Sequence, residues 1–344
     1  MKRTLIGLAL LAFFVMVLVS GCSHPAVTAA KIYLNQQTLD ADKAIEQCKI
    51  AVQEIPNDPE PYYLMGKAYA IKKMYPEMNE AFDQSLQKGA TFASQINQER
   101  NVQWGTTLNA GVALYQADKP AEASEKFATC TVIMPEKAMA YKYLGSSLAQ
   151  SGETEKAIEA FKKAVQLDSE DIESQYQLSN LYYNNKKYEE AIQGYEVVMQ
   201  KADPSSKFHT DALSHIGLCY DILGQADKAQ EVYNTALAEN PDNMDMRFNL
   251  ARIFLKEENW DKALEMMQPV YEANPKDFGN CMNMGWALIG LNRPAEAVPC
   301  FKAATEVEPE NHQAWFWLGT AYVRSGDSAN GKIAFEKADQ LKNK

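Results

Sequence analysis

Apolar residues return at spacings of three and four along almost the whole chain, the pattern of amphipathic helices; strands would show them at every second position. The helical stretches come in pairs. In the frame that begins at Ala138, Leu144-Gly145 and Leu148 belong to the first member of the pair, and Ala157, Phe161 and Ala164 to the second. The frame at Thr210 gives Ile216-Gly217 and Tyr220, then Ala229, Tyr233, Ala236 and Pro241. The frames at Ile172, Met244, Phe278 and His312 repeat the set. Gly152, Gly224 and Gly326 fall between the two halves, where the chain must turn. Small residues in each half let two helices approach closely, and aromatics fill the space between them. The recurrent proline ends each pair, because proline neither continues a helix interior nor leaves the preceding residue free to do so.

Frame starts fall near 25, 59, 104, 138, 172, 210, 244, 278 and 312. The steps from 59 onward are 34 residues except for 45 between 59 and 104 and 38 between 172 and 210. The first excess, around Lys88 to Gln103, is expected to extend the following helix backward through Ser94; the second is the loop Asp203-Pro204-Ser205-Ser206. Pro269 and Pro299 lie inside expected second helices and predict local kinks there.

The 34-residue period with these small, aromatic and proline positions resembles the tetratricopeptide repeat (TPR). The resemblance covers almost all of residues 31–344 and implies an all-α fold: a right-handed superhelical solenoid of eight recognisable helix-turn-helix hairpins, with the frame near 25 as a degenerate ninth.

The amino-terminal pattern differs. Lys2 and Arg3 precede an apolar run from Leu5 to Val19, which reads as a secretory signal and is short for the roughly 20 residues a membrane helix needs. Leu18-Val19-Ser20-Gly21-Cys22 resembles the bacterial lipobox. That resemblance implies cleavage after Gly21, acylation of Cys22, and the organisation 1–21 signal peptide, 22–30 lipidated tether, 31–344 repeats. An uncleaved anchor or an ordinary secretory signal are the alternatives. Ser23 beside the lipidated position resembles an outer-membrane sorting signal, favouring the inner leaflet of the outer membrane over the inner membrane.

Composition is that of a globular chain, 46% hydrophobic and 23% charged. The net charge of -11, made more negative by removal of Lys2 and Arg3, argues against nucleic-acid partners. Cys48, Cys130, Cys219, Cys281 and Cys300 remain after Cys22, an odd and widely spaced set that reads as buried thiols. Cys281 and Cys300 fall on the two helices of one hairpin, close enough in register for an oxidised pair to be considered.

No catalytic constellation, cofactor motif or metal-ligand spacing accompanies the four histidines, so neither enzymatic activity nor a cofactor is expected. Acidic clusters such as Glu189-Glu190 open second helices, where carboxylates complement the helix dipole.

In TPR arrays the first helices line a concave groove. Carried residue by residue onto this chain, the resemblance implies partner contacts by Lys142, Tyr176, Asn180, Tyr183, Asn184, Phe248, Arg252, Trp286, Phe316 and Arg324. Tyr176, Asn180, Tyr183 and Asn184 share one helix face, where packing against the next hairpin is the competing use. The expectation is a membrane-anchored protein-protein interaction scaffold or assembly factor of the bacterial cell envelope. The rivals are a glycan- or peptidoglycan-binding accessory protein using Trp286, Trp315 and Trp317, and a self-assembling oligomer.

Overall fold

The computed structural model describes residues 24–343; residues 1–21, read above as a signal peptide, Cys22, Ser23 and Lys344 lie outside the described residues. Among the described residues there are eighteen α-helices and no strand. They form nine antiparallel hairpins in two compact units, one ending at Ser169 and one beginning at Glu170.

The first unit holds α1 (Pro25–Tyr33) with α2 (Ala41–Glu54), α3 (Pro59–Ile71) with α4 (Tyr75–Lys88), α5 (Ala93–Gln116) with α6 (Pro120–Ile133), and α7 (Ala138–Gln150) with α8 (Thr154–Leu167). The second holds α9 (Ile172–Asn184) with α10 (Tyr188–Lys201), α11 (Lys207–Ile222) with α12 (Ala226–Glu239), α13 (Met244–Lys256) with α14 (Trp260–Ala273), α15 (Phe278–Gly290) with α16 (Pro294–Val307), and α17 (His312–Arg324) with α18 (Ser328–Lys342). Within each unit a helix packs chiefly on its neighbours in sequence, so each unit is a stack of hairpins in the solenoid manner.

The turn inside each hairpin from α3–α4 onward is one device repeated. In α9–α10, Lys186 N–H donates to the Tyr183 carbonyl and Lys187 N–H reaches back to that of Tyr182, both at 2.9 Å, with Lys186 left-handed at φ 60°. This is a Schellman turn, which closes the last carbonyls of the first helix. Gly152, Gly224 and Gly326 hold the same position without a side-chain penalty; Lys73, Asp118, Glu258 and Asn292 hold it as Lys186 does.

Hairpin-to-hairpin junctions use different chemistry. Asp58, Asp171, Ser206, Asn243, Asp277 and Asn311 cap first helices by accepting from backbone N–H groups of the opening turn. The fourth residue of several first helices then locks the proline turn behind it: Tyr62, Arg247, Cys281 and Trp315 each donate to the carbonyl of the proline six residues earlier. Trp315 does so from its indole nitrogen at 2.8 Å.

The core is a ladder of aromatic rings against glycines. Gly66 meets Phe82, Gly111 meets Phe127, Gly217 meets Tyr233 and Gly285 meets Phe301 so closely that an added Cβ would fall within 2.7 Å of a ring atom.

Residues 25–30, assigned above to a tether, form α1 instead, with Ala26, Val27 and Ala30 buried against Cys48, Ala51 and Leu64; small apolar side chains there find a neighbouring hairpin to cover them. Cys281 and Cys300 are free thiols, engaged by the carbonyls of Pro275 and Glu296. Pro269 and Pro299 sit inside helices α14 and α16, which continue through them. The insertion before the third hairpin becomes the first turns of the 24-residue helix α5. The insertion before α11 is fixed by His209, whose ring nitrogens contact the Met199 carbonyl at 3.1 Å and the Glu239 carboxylate at 3.0 Å.

Candidate protein-binding face

The side chains expected to meet a partner all lie on first helices, and the structure divides them into packed and available groups. Lys142 is half-buried on α7. On α9, Tyr176 is half-buried and meets Tyr195, Phe208 and His215 edge-on, with its hydroxyl 3.4 Å from Asp211. Asn180 accepts a 2.6 Å hydrogen bond from the Tyr195 hydroxyl. Tyr183 packs edge-on against Tyr188 and His215, and His215 stacks on Tyr195 at 4.9 Å. Of the four-residue ladder, Asn184 alone is fully on the surface. Tyr176 and Tyr183 hold the α9–α10 hairpin against α11, and Asn180 ties α9 to α10.

Burial shifts the acidity of this cluster. The hydroxyls of Tyr176, Tyr183 and Tyr195 are all pushed up, chiefly by loss of solvent, so the tyrosines stay neutral across the physiological range.

Farther along the second unit the face is less internally satisfied. Phe248 packs in the cluster of Ala251, Met267 and Val270. Arg252 is half-buried beside it on α13, and no ion pair engages it among the described residues. Phe316 is 48% exposed, edge-on to Trp317 and tilted against Phe335. Trp286 and Trp317 meet at 6.1 Å with their planes 74° apart.

Trp286 and Arg324, two of the expected contacts, are brought together in one pocket of about 450 Å³ completed by Leu255, Trp260, Ile289, Gly290 and Trp317. Sequence reasoning missed Trp260, which opens a second helix, whereas the expected contacts were all taken from first helices. The available signal was Gly290: a Cβ there would fall 2.1 Å from the Trp260 ring, so the glycine one repeat later makes room for that indole. The rival glycan triad is not assembled as expected. Trp315 lines a different hollow with Leu318, Tyr322 and Ile333, its indole already committed to Pro309.

Among the described residues no group of His, Cys, Asp and Glu could hold a metal ion, and no helix is long and apolar enough to cross a membrane. The thiols of Cys48, Cys130 and Cys219 are pushed up to about 12 by burial, the opposite of an activated nucleophile.

Comparison with known proteins agrees with this geometry. Residues 145–186 match a TPR repeat family, and 173–206, 223–281 and 282–343 match tetratricopeptide repeat families. The chain belongs to the tetratricopeptide repeat family, a scaffold fold for protein-protein interaction. It is 28% identical over 202 residues to the human protein O-mannosyl-transferase TMTC1, covering 58% of this chain and 22% of the relative. It is 23% identical over 282 residues to the BBSome complex member BBS4 of Bos taurus, covering 81% of this chain and 49% of that one. The chain thus spans about half the length or less of these curated relatives. Among solved structures it is similar to YrrB, described as a TPR protein with an unusual peptide-binding site, at 22% identity and a TM-score of 0.47 over 56% of this chain and 96% of that one.

Proposed function

We propose that this protein is a membrane-anchored scaffold or assembly factor of a bacterial cell envelope, tethered by acyl chains on Cys22 and binding a protein partner along the first helices of its repeats. One observation carries the partner-binding reading: the first helices of the second unit present Arg252, Trp286, Phe316 and Arg324 with aromatic surface partly open and neither guanidinium engaged in an ion pair among the described residues. Aromatic and arginine side chains are the usual energetic anchors of interfaces. The relative BBS4 is by its name a member of a complex, which is in keeping with such a role.

Anchoring rests on the sequence Leu18-Val19-Ser20-Gly21-Cys22 behind a basic and apolar leader. Several acyl chains on one residue hold more firmly than one, each buried methylene adding about 0.8 kcal/mol. Ser23 supports the inner leaflet of an outer membrane as the destination.

The test is made in the native host with a carboxy-terminally tagged full chain. Growth with an alkyne-labelled fatty acid should label the wild-type protein and not Cys22→Ala. Crosslinking of intact cells should capture an envelope protein in stoichiometric amount. Unlabelled wild-type protein would remove the anchor, and recovery of self-crosslinks alone would replace the scaffold with a self-assembling oligomer.

A further inference from the structure

The pocket between α13, α15 and α17 concentrates chemistry that the fold itself does not use. Three of the chain's five tryptophans line it, and Arg324 is the one charged side chain among its lining residues. Lys256 and Arg293, on the same stretch of chain, are paired, Lys256 lying 2.6 Å from Asp221 and Arg293 lying against Glu296; Arg252 is unpaired among the described residues but does not line the pocket. Arg324 has no ion pair among the described residues, in a chain whose acids outnumber its bases by 45 to 34. The indole N–H of Trp286 is closed off from water and finds no acceptor among the described residues. A larger hollow of about 790 Å³ beside α7 carries both signs on its rim, with Glu125, Glu153 and Glu159 against Lys156 and Lys163, and so selects no ligand charge.

We infer that the tryptophan pocket takes a bulky apolar side chain from an internal segment of a partner polypeptide, while an acidic side chain one or two residues away on that segment pairs with Arg324. This rests on the partner-binding reading above. An indole-walled hollow excludes water around an apolar side chain, and a guanidinium at its edge offers a planar fork to one carboxylate. A glycan fits less well, because the lining supplies no carboxylate or amide to hold sugar hydroxyls.

Random decapeptides displayed on phage are selected on the immobilised full-length protein, and enriched sequences are synthesised with acetylated and amidated ends. The expected consensus is Phe, Leu or Trp within two positions of Asp or Glu, with saturable change in tryptophan fluorescence. Arg324→Glu, a surface change checked for retained helicity by circular dichroism, should weaken these peptides at least tenfold and shift selection toward Lys or Arg beside the same apolar residue. Trp317→Ala should abolish both selections. Equal binding to wild type and Arg324→Glu, a requirement for a free carboxyl terminus, no enrichment, or a fluorescence change with peptidoglycan fragments alone would each overturn the pocket assignment. An envelope partner captured equally by wild type and Arg324→Glu leaves the scaffold standing and removes this pocket; peptide selection without any captured partner does the reverse.

Discussion

Gly145 lies against the face of Phe161 so closely that a Cβ added to the glycine would sit 2.7 Å from the ring. The two residues are one helix apart in sequence and touching in space, and the same contact recurs in most hairpins. It sets the distance between the helices of a pair, because any side chain on the glycine must push the ring out of its buried slot.

Gly145→Ala should therefore destabilise the protein by about 1–3 kcal/mol, the usual cost of overpacking a core that cannot yield. Gly105→Ala, at a helical glycine of α5 with nothing within 4 Å of the added atom, should instead stabilise by about 0.5–1 kcal/mol through helix propensity. Urea unfolding of the two variants beside wild type checks both signs.

Two buried tyrosines at the same place in successive hairpins should respond oppositely to loss of the hydroxyl. Tyr195 donates to Asn180 at 2.6 Å, whereas the Tyr233 hydroxyl is buried with no partner. Tyr195→Phe should cost about 1 kcal/mol, and Tyr233→Phe should be neutral or stabilising by about 1 kcal/mol. Equal losses in thermal or chemical unfolding would show that the Tyr233 hydroxyl is satisfied after all.

Lys186 occupies a left-handed turn position that glycine fills in three other hairpins. The strain costs about 1–2 kcal/mol, and the extra freedom of glycine in the unfolded chain offsets part of its relief. Lys186→Gly should raise stability by about 0.5–1 kcal/mol, and Glu258→Gly should do the same. A lower unfolding midpoint in either variant would contradict the turn geometry.

The buried thiols set an alkaline limit. Cys48, Cys130 and Cys219 are pushed up to about 12 by burial, while thiols of an unfolded chain ionise near about 8.5. Between those values the native state keeps protons that the unfolded state releases, so stability falls as pH rises, by as much as about 1.4 kcal/mol per pH unit for each thiol. Below about pH 8 these groups contribute no pH dependence. Urea midpoints measured under reducing conditions at about pH 8 and about pH 10 should differ markedly. The difference should shrink when Cys48, Cys130 and Cys219 are replaced by alanine.

The hairpins were legible because their signals are local and repeated. Leu144-Gly145 with Phe161, or Ile216-Gly217 with Tyr233, already mark which faces meet, and the prolines mark where each pair stops. The non-glycine turns at Lys73, Asp118 and Lys186 were not legible as left-handed, since nothing in a lysine or aspartate announces a positive φ that the hairpin imposes on it. The first helix was legible only as the start of a degenerate frame near 25, beside the reading of 22–30 as a tether: Pro25–Tyr33 is too short to be stable alone and forms because α2 and α3 cover it.

The partner face was read less well, and for a physical reason. Position in a repeat says that a side chain points away from its own hairpin. It does not say whether the next hairpin will claim it, as it does Tyr176 and Tyr183. By itself the sequence determined the helical repeat, its period and its glycine-aromatic core, because those depend on contacts within one hairpin. The tertiary structure alone decided that Trp260, Trp286, Trp317 and Arg324 share a pocket while Trp315 does not, because that depends on how successive hairpins are stacked and on which indole is already bonded to the backbone of its own turn.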